Sequence, residues 1–212
     1  MPRVGDTRTK ILEMAEADFA TEGYAGAHLQ KIAEQVGVRK TALYYYFPSK
    51  GALYTAVLAA ILEEFDRTVA AAVEADEASE HRLLRLVAQV NDLLAERRNY
   101  GRILIRVFVD RSPIEAGQLI PIVERVVGRV LRFYRQGRDE GTFRHISSRH
   151  FFMSVLGMTV LHYAAPGFSA SILGVDDVFT RPAVSWRREE VTSLLARGVL
   201  LRGPDEDRDR VS

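Results

Sequence analysis

The sequence predicts an all-α fold. Apolar residues recur at three- and four-residue spacing along most of the chain, and no stretch of useful length alternates apolar and polar residues. Glycine, proline or serine punctuates the pattern wherever one helix would give way to the next. About nine helices are expected, three of them short and confined to the first 47 residues.

Thr7 or Thr9 can cap a first helix whose Ile11, Leu12, Ala15 and Phe19 share one face, with Gly23 at its end. Leu29, Ile32, Ala33 and Val36 form a second, closed by Gly37. A third short helix covers about residues 39–46 before Pro48, and Ser49 can cap the next. That fourth helix is long: Leu53, Val57, Ile61, Phe65 and Val69 carry it toward the acidic, alanine-rich stretch near Asp76. Leu83, Val87, Val90 and Leu94 mark a fifth, residues 100–110 a sixth, and residues 119–134 a seventh that ends near Gly137 or Gly141. The eighth opens at Ser147 or Ser148, presents Phe152, Val155, Leu156, Thr159 and Tyr163, and stops at Pro166-Gly167. A loop is expected over residues 168–185, then a ninth helix over about 186–202 with Val191, Leu194, Leu195 and Val199 on one face. The charged residues 204–212 read as a disordered tail.

Composition narrows the function classes. Lys+Arg number 29 and Asp+Glu 28, a net charge of +1, so any nucleic-acid site must be a local patch rather than a property of the whole chain. Without cysteine there are no disulfides, no thiolate nucleophile and no cysteine-held metal, and no metal site or cofactor is expected. The N-terminus lacks a secretory pattern, and the most apolar run, residues 151–165, is shorter than the roughly 20 residues that span a bilayer. A cytoplasmic location without a membrane partner is the expectation. HExxH, GxSxG and P-loop motifs are missing, and His145 and His150 have no third ligand at a usable spacing, so an enzyme is not expected.

The informative segment is residues 28–47, HLQKIAEQVGVRKTALYYYF, which reads as helix, glycine turn, helix. Gly37 suits a tight interhelical turn needing positive φ, while Val36, Val38 and Leu43 hold the two helices together. The second helix then turns Arg39, Lys40, Thr41, Tyr44, Tyr45 and Tyr46 outward, a mixture of charge, hydroxyl and aromatic plane that suits phosphates and base edges. Residues 28–50 hold four basic side chains, Lys31, Arg39, Lys40 and Lys50, against Glu34, a net +3. The competing reading is a helical hairpin with a solvated basic face and tyrosines packed as core.

From Thr7 to about Val57 the run TRTKILEMAEADFATEGYAGAHLQKIAEQVGVRKTALYYYFPSKGALYTAVL resembles the N-terminal domain of the TetR family of transcriptional regulators. Phe19 with Gly23-Tyr24, Ile32-Ala33, Val36-Gly37-Val38, Leu43-Tyr44, Tyr46-Phe47 and Lys50 carry the resemblance. It implies a DNA-binding domain at residues 1–50, followed by a ligand-binding and dimerisation domain at 51–203. It implies that Lys40, Thr41, Tyr44, Tyr45 and Tyr46 contact DNA, that Lys50 holds a phosphate, and that His28 and Gln30 approach the backbone or an outer base. The family pattern is broken at Ala27, Arg39 and Ala42, where hydroxyl residues are usual, so a base preference cannot be carried over.

The same resemblance implies a homodimer built from the last two long helices, with Val155, Thr159, Val191, Leu194, Leu195 and Val199 at the interface. It also implies a small-molecule cavity among helices four to eight, for which Phe65, Arg106, Phe108, Tyr134, Phe152 and His162 are the candidates. Arg106 reads more simply as part of a solvated stripe with Arg102 and Asp110, and His162 as a satisfied core histidine. The function so implied is a repressor that binds a palindromic double-stranded operator and leaves it when a small molecule binds. A ligand-independent or activating regulator would carry the same N-terminal domain.

Overall fold

The computed structural model describes residues 4–109 and 116–201, with the backbone alone for residues 4, 5, 108 and 116. Ten helices run in order: α1 (Val4–Gly26), α2 (Leu29–Val36), α3 (Lys40–Tyr46), α4 (Lys50–Val73), α5 (Ser79–Glu96), α6 (Tyr100–Val109), α7 (Ala116–Asp139), α8 (Ser148–Ala164), α9 (Pro166–Leu173) and α10 (Arg181–Val199). No strand occurs among the described residues; one isolated bridge joins Phe143 to Leu200. It ties the end of α10 to the α7–α8 turn, where Arg144 N–H also donates to the Val199 carbonyl at 2.7 Å. No single helix among the described residues is long and apolar enough to cross a membrane.

Helices α1 to α3 pack through Ile11, Ala15, Phe19, Ile32, Ala33 and Leu43, all shielded from water as their spacing requires. Helix α4 leads from this unit into the rest of the molecule, lying against α1, α5 and α7. Its Leu53, Val57, Ile61 and Val69 are buried and Phe65 is half-buried. On its other flank Asp66 takes Arg125 at 2.7 Å and Arg129 at 3.3 Å, a charged seam between α4 and α7. Burial alone would raise the Asp66 pKa, but the bond from Arg125 and the charge of Arg129 outweigh it and hold the carboxyl below its ordinary range.

Two boundaries differ from expectation. Helix α1 is already underway at Val4, so neither Thr7 nor Thr9 caps it; its regular helical backbone breaks at Gly23 (φ 72°, ψ 176°), the expected end, and a short helical stretch to Gly26 follows the kink. The expected loop over residues 168–185 contains a helix and the start of another. Helix α8 stops at Ala164, just before Pro166 as expected, but Pro166 also opens α9, which turns 94° from α8, and Pro182 lies in the first turn of α10 behind the cap Thr180, whose hydroxyl accepts from Ala183 N–H at 3.4 Å. A proline's missing N–H costs nothing in a first turn, where that group has no helical acceptor. The tail at 204–212 lies outside the described residues.

Candidate nucleic-acid interface

The turn between α2 and α3 is made by Gly37, which sits at φ 81°, ψ 28°. Its N–H donates to the Glu34 carbonyl at 3.1 Å and the Val38 N–H to the Ala33 carbonyl at 2.9 Å, the paired bonds that close a helix around a left-handed residue. A Cβ built on Gly37 meets nothing within 4 Å, so glycine is required here by φ and not by space. Leu43 and Phe47 anchor α3 from beneath. Ser49 caps α4 by accepting from Ala52 N–H at 2.9 Å.

What caps α2 is not local. His28 holds the N-cap position in extended conformation, but its side chain makes no capping bond, and Ala27 offers none. Asp18, buried on α1, supplies the acceptor instead: its Oδ2 takes the His28 N–H at 3.3 Å and its Oδ1 lies 2.6 Å from Lys31 Nζ. One carboxylate thus fastens α1 to the positive end of α2. Sequence reading missed Asp18, because ten residues separate it from the helix it caps, and it counted Lys31 as free charge.

The outward face of α3 survives this revision. Arg39, Lys40, Thr41, Tyr44 and Tyr45 are exposed, Tyr45 at 83% and Tyr44 at 42%. Arg39 and Lys40 form no ion pair among the described residues, and Lys40 lies over the Tyr44 ring at 5.9 Å. Tyr46 is half-buried and braces Tyr45 edge-on at 5.4 Å. His28 and Gln30 are exposed beside them, with Gln30 Nε2 donating to Glu34 at 2.7 Å. Lys50 points back to α1: its ammonium donates to the Ala25 carbonyl at 3.1 Å and lies 4.9 Å from the centre of the Tyr24 ring. Burial lowers the Lys50 pKa, an effect that Asp18 partly opposes. Two of its three N–H donors remain for another acceptor.

The expected pocket residues do not converge. The Phe65 ring faces Tyr100 at 6.3 Å. Arg106 instead reaches α1, donating to the Thr21 carbonyl at 3.2 Å beside the Gly23 kink. Tyr134 is fully buried, stacked on Phe143 and Phe151, and donates to the Arg144 carbonyl at 3.0 Å. These contacts lie in the core or fasten one helix to another, as Arg106 fastens α6 to α1. Phe152 is half-buried against the same core, and the Phe108 side chain lies outside the described residues. His162 is the exception, since it borders a cavity of about 60 Å³. That is well below the about 300–1,000 Å³ of a small-molecule site.

The expected interface residues divide. Thr159, Val191, Leu195 and Val199 are buried within the chain, where α10 lies along α5 and Thr159 donates back to the Val155 carbonyl at 2.8 Å. They belong to the chain's own core and cannot be offered to a second copy. Val155 is half-buried, and Leu194 is 61% exposed. Met153 and Leu161 on α8 and Trp186 on α10 are exposed too, and Gly157 and Gly198 have open space around them.

Comparison with known proteins matches residues 11–57 to the model of the bacterial regulatory proteins, tetR family. The transcriptional regulator RutR of Escherichia coli K12 is 50% identical over 60 residues, a match that covers 28% of this chain and 28% of RutR. Among solved structures, the TetR family transcriptional regulator PfmR of Thermus thermophilus superposes with a TM-score of 0.70 at 22% identity, over 89% of this chain and 98% of PfmR. AibR, solved with isovaleryl coenzyme A and operator DNA, does so with 0.71 at 18% identity, over 89% and 97%. The segment that matches is the one that builds α1 to α3 and the start of α4, and the helices beyond it follow the same course as in these structures: residues 11–57 are similar to the bacterial regulatory proteins, tetR family, and the chain shares the fold of these solved structures.

Proposed function

We propose that the protein is a transcriptional regulator that binds double-stranded DNA through the outward face of α3. The observation that carries the reading is the exposed group Arg39, Lys40, Thr41, Tyr44 and Tyr45, whose cations form no ion pair among the described residues, held on a helix whose far side is anchored by Leu43 and Phe47. Such a face combines phosphate-seeking charge with hydroxyls and planes able to meet base edges in a major groove. Beside it, the positive end of α4 and the Lys50 ammonium form a second point of phosphate attachment.

One α3 reads only a few base pairs, so specific binding needs two copies about 34 Å apart on a palindromic site. The apolar surface left open by Met153, Leu161 and Leu194, with Gly157 and Gly198 allowing close approach, supports pairing of α8 and α10 with those of a second copy. Repression relieved by a small molecule is the mode we favour, and AibR, solved with both an acyl-coenzyme A and operator DNA, supports it. A ligand of that size requires the helices to open, because the cavity beside His162 is too small.

The test is selection of bound duplexes from a random pool, followed by transcription from a promoter carrying the selected site. The expected result is an inverted repeat with half-sites one helical turn apart and transcription that falls as protein is added. A pool that stays random after repeated selection would overturn the DNA reading, and rising transcription would replace repressor with activator.

A further inference from the structure

The cavity beside His162 lies at the corner where α8, α9 and α10 meet, away from the DNA-facing helices. His162 is only 8% exposed, and its Nε2 has no hydrogen-bond partner among the described residues. An unmet buried nitrogen of this kind costs free energy, which a ligand bonded to it would recover. Arg187, half-buried on α10, borders the same cavity. Its Nη2 donates to the Met158 carbonyl at 2.7 Å, and among the described residues no carboxylate forms an ion pair with it. Burial pushes the His162 pKa down to about 4, with the Arg187 charge adding to the effect, so the imidazole is neutral and can carry its proton on Nε2.

The cavity is therefore bordered by a cation that forms no ion pair among the described residues, by a buried neutral imidazole, and by apolar walls from Val175, Val178 and the half-exposed Trp186, with Glu190 also in its lining. An anion with two oxygens answers both donors, and the walls accept hydrocarbon. About 60 Å³ admits a headgroup of a few heavy atoms, with the remainder of the molecule leaving past Trp186. We propose that this corner binds the carboxylate of a small organic acid, held between Arg187 and His162 Nε2, with its alkyl chain along Val175, Val178 and Trp186. Glu190, an exposed residue that also lines the cavity, sets the selectivity by repelling highly charged anions.

The chain has one tryptophan, so Trp186 emission reports on this site alone. The probe is sodium butyrate, titrated at constant ionic strength against sodium chloride into the full chain without DNA, so that the outcome is independent of the DNA-binding reading. The expected result is a saturable change in emission with butyrate and none with chloride. Arg187→Met should weaken apparent affinity by at least about tenfold, as loss of a charge-assisted hydrogen bond requires. Glu190→Gln alters an exposed residue and removes the facing negative charge, so it should tighten binding several-fold even if Arg187→Met folds poorly. A linear response, an equal response to chloride, or a Glu190→Gln variant that binds butyrate no better than wild type would overturn the proposal, and the cavity would then hold water only.

Discussion

Replacing Gly37 with alanine isolates what the backbone alone demands of the interhelical turn. Gly37 has φ 81°, and a Cβ there meets nothing within 4 Å, so no steric contact complicates the result. Placing an L-residue in the left-handed region costs about 1–2 kcal/mol. Alanine recovers about 0.4–1 kcal/mol by narrowing the unfolded ensemble, which leaves a net loss near 1 kcal/mol. For a chain of this length that corresponds to a fall in Tm of about 2–4 °C by circular dichroism. Gly37→Asn should lose less, because asparagine tolerates this region. Gly117→Ala, in α7 with equally open surroundings and no positive φ, should be neutral or stabilising by up to about 1 kcal/mol. A Gly37→Ala variant as stable as the wild type, or a Gly37→Asn variant worse than Gly37→Ala, would refute the reasoning.

Three further outcomes follow from particular contacts. Asp18→Ala removes both the cap of α2 and the partner of Lys31, and should cost about 2 kcal/mol in a denaturant titration together with operator affinity; an unchanged midpoint would show that α2 needs no remote cap. Glu16 is pushed above its ordinary pKa of 4.5, chiefly by burial, against the opposing hydrogen bond from Asn99 and the charge of Arg97. The folded state holds that proton more tightly, so its stabilisation is complete below the ordinary value and is lost as pH rises through the raised one; Glu16→Gln should flatten this slope, and an unaltered slope would assign it to another group. Leu161→Glu with Leu194→Glu alters two exposed positions and should yield a folded monomer by light scattering that binds the operator weakly, whereas Leu195→Glu puts a carboxylate in the core and should unfold the chain; a double variant that stays dimeric would exclude this face.

The contrast between Leu194 and Leu195 marks where sequence reading stops. Periodicity places both on the apolar side of the last helix, but it does not reveal what covers that side: Leu195 is buried on the helix that packs against α5, and Leu194 is left 61% exposed. Features with local causes were legible. Gly37 forms the predicted turn, Ser49 caps α4, and Leu29, Ile32 and Ala33 are buried at the predicted spacing. Features that depend on a distant partner were not. Asp18 looks like one more polar residue on α1 until the fold brings it to His28, and Tyr134 looks like a pocket aromatic until Phe143 and Phe151 close over it. The helix that begins at Pro166 was missed for another reason, because a proline that ends one helix can also open the next.

The central claim is that the exposed face of α3 meets DNA, and the most direct test is the salt dependence of affinity for wild type, Arg39→Ala and Lys40→Ala on the selected operator and on a scrambled duplex. The account predicts that log K falls linearly with log salt. Each substitution at a phosphate contact should lower the slope by about 1 on both duplexes, while one at a base contact should cost about 1–3 kcal/mol on the operator and little on the scrambled duplex. Affinity and slope unchanged in both variants on both duplexes would contradict it.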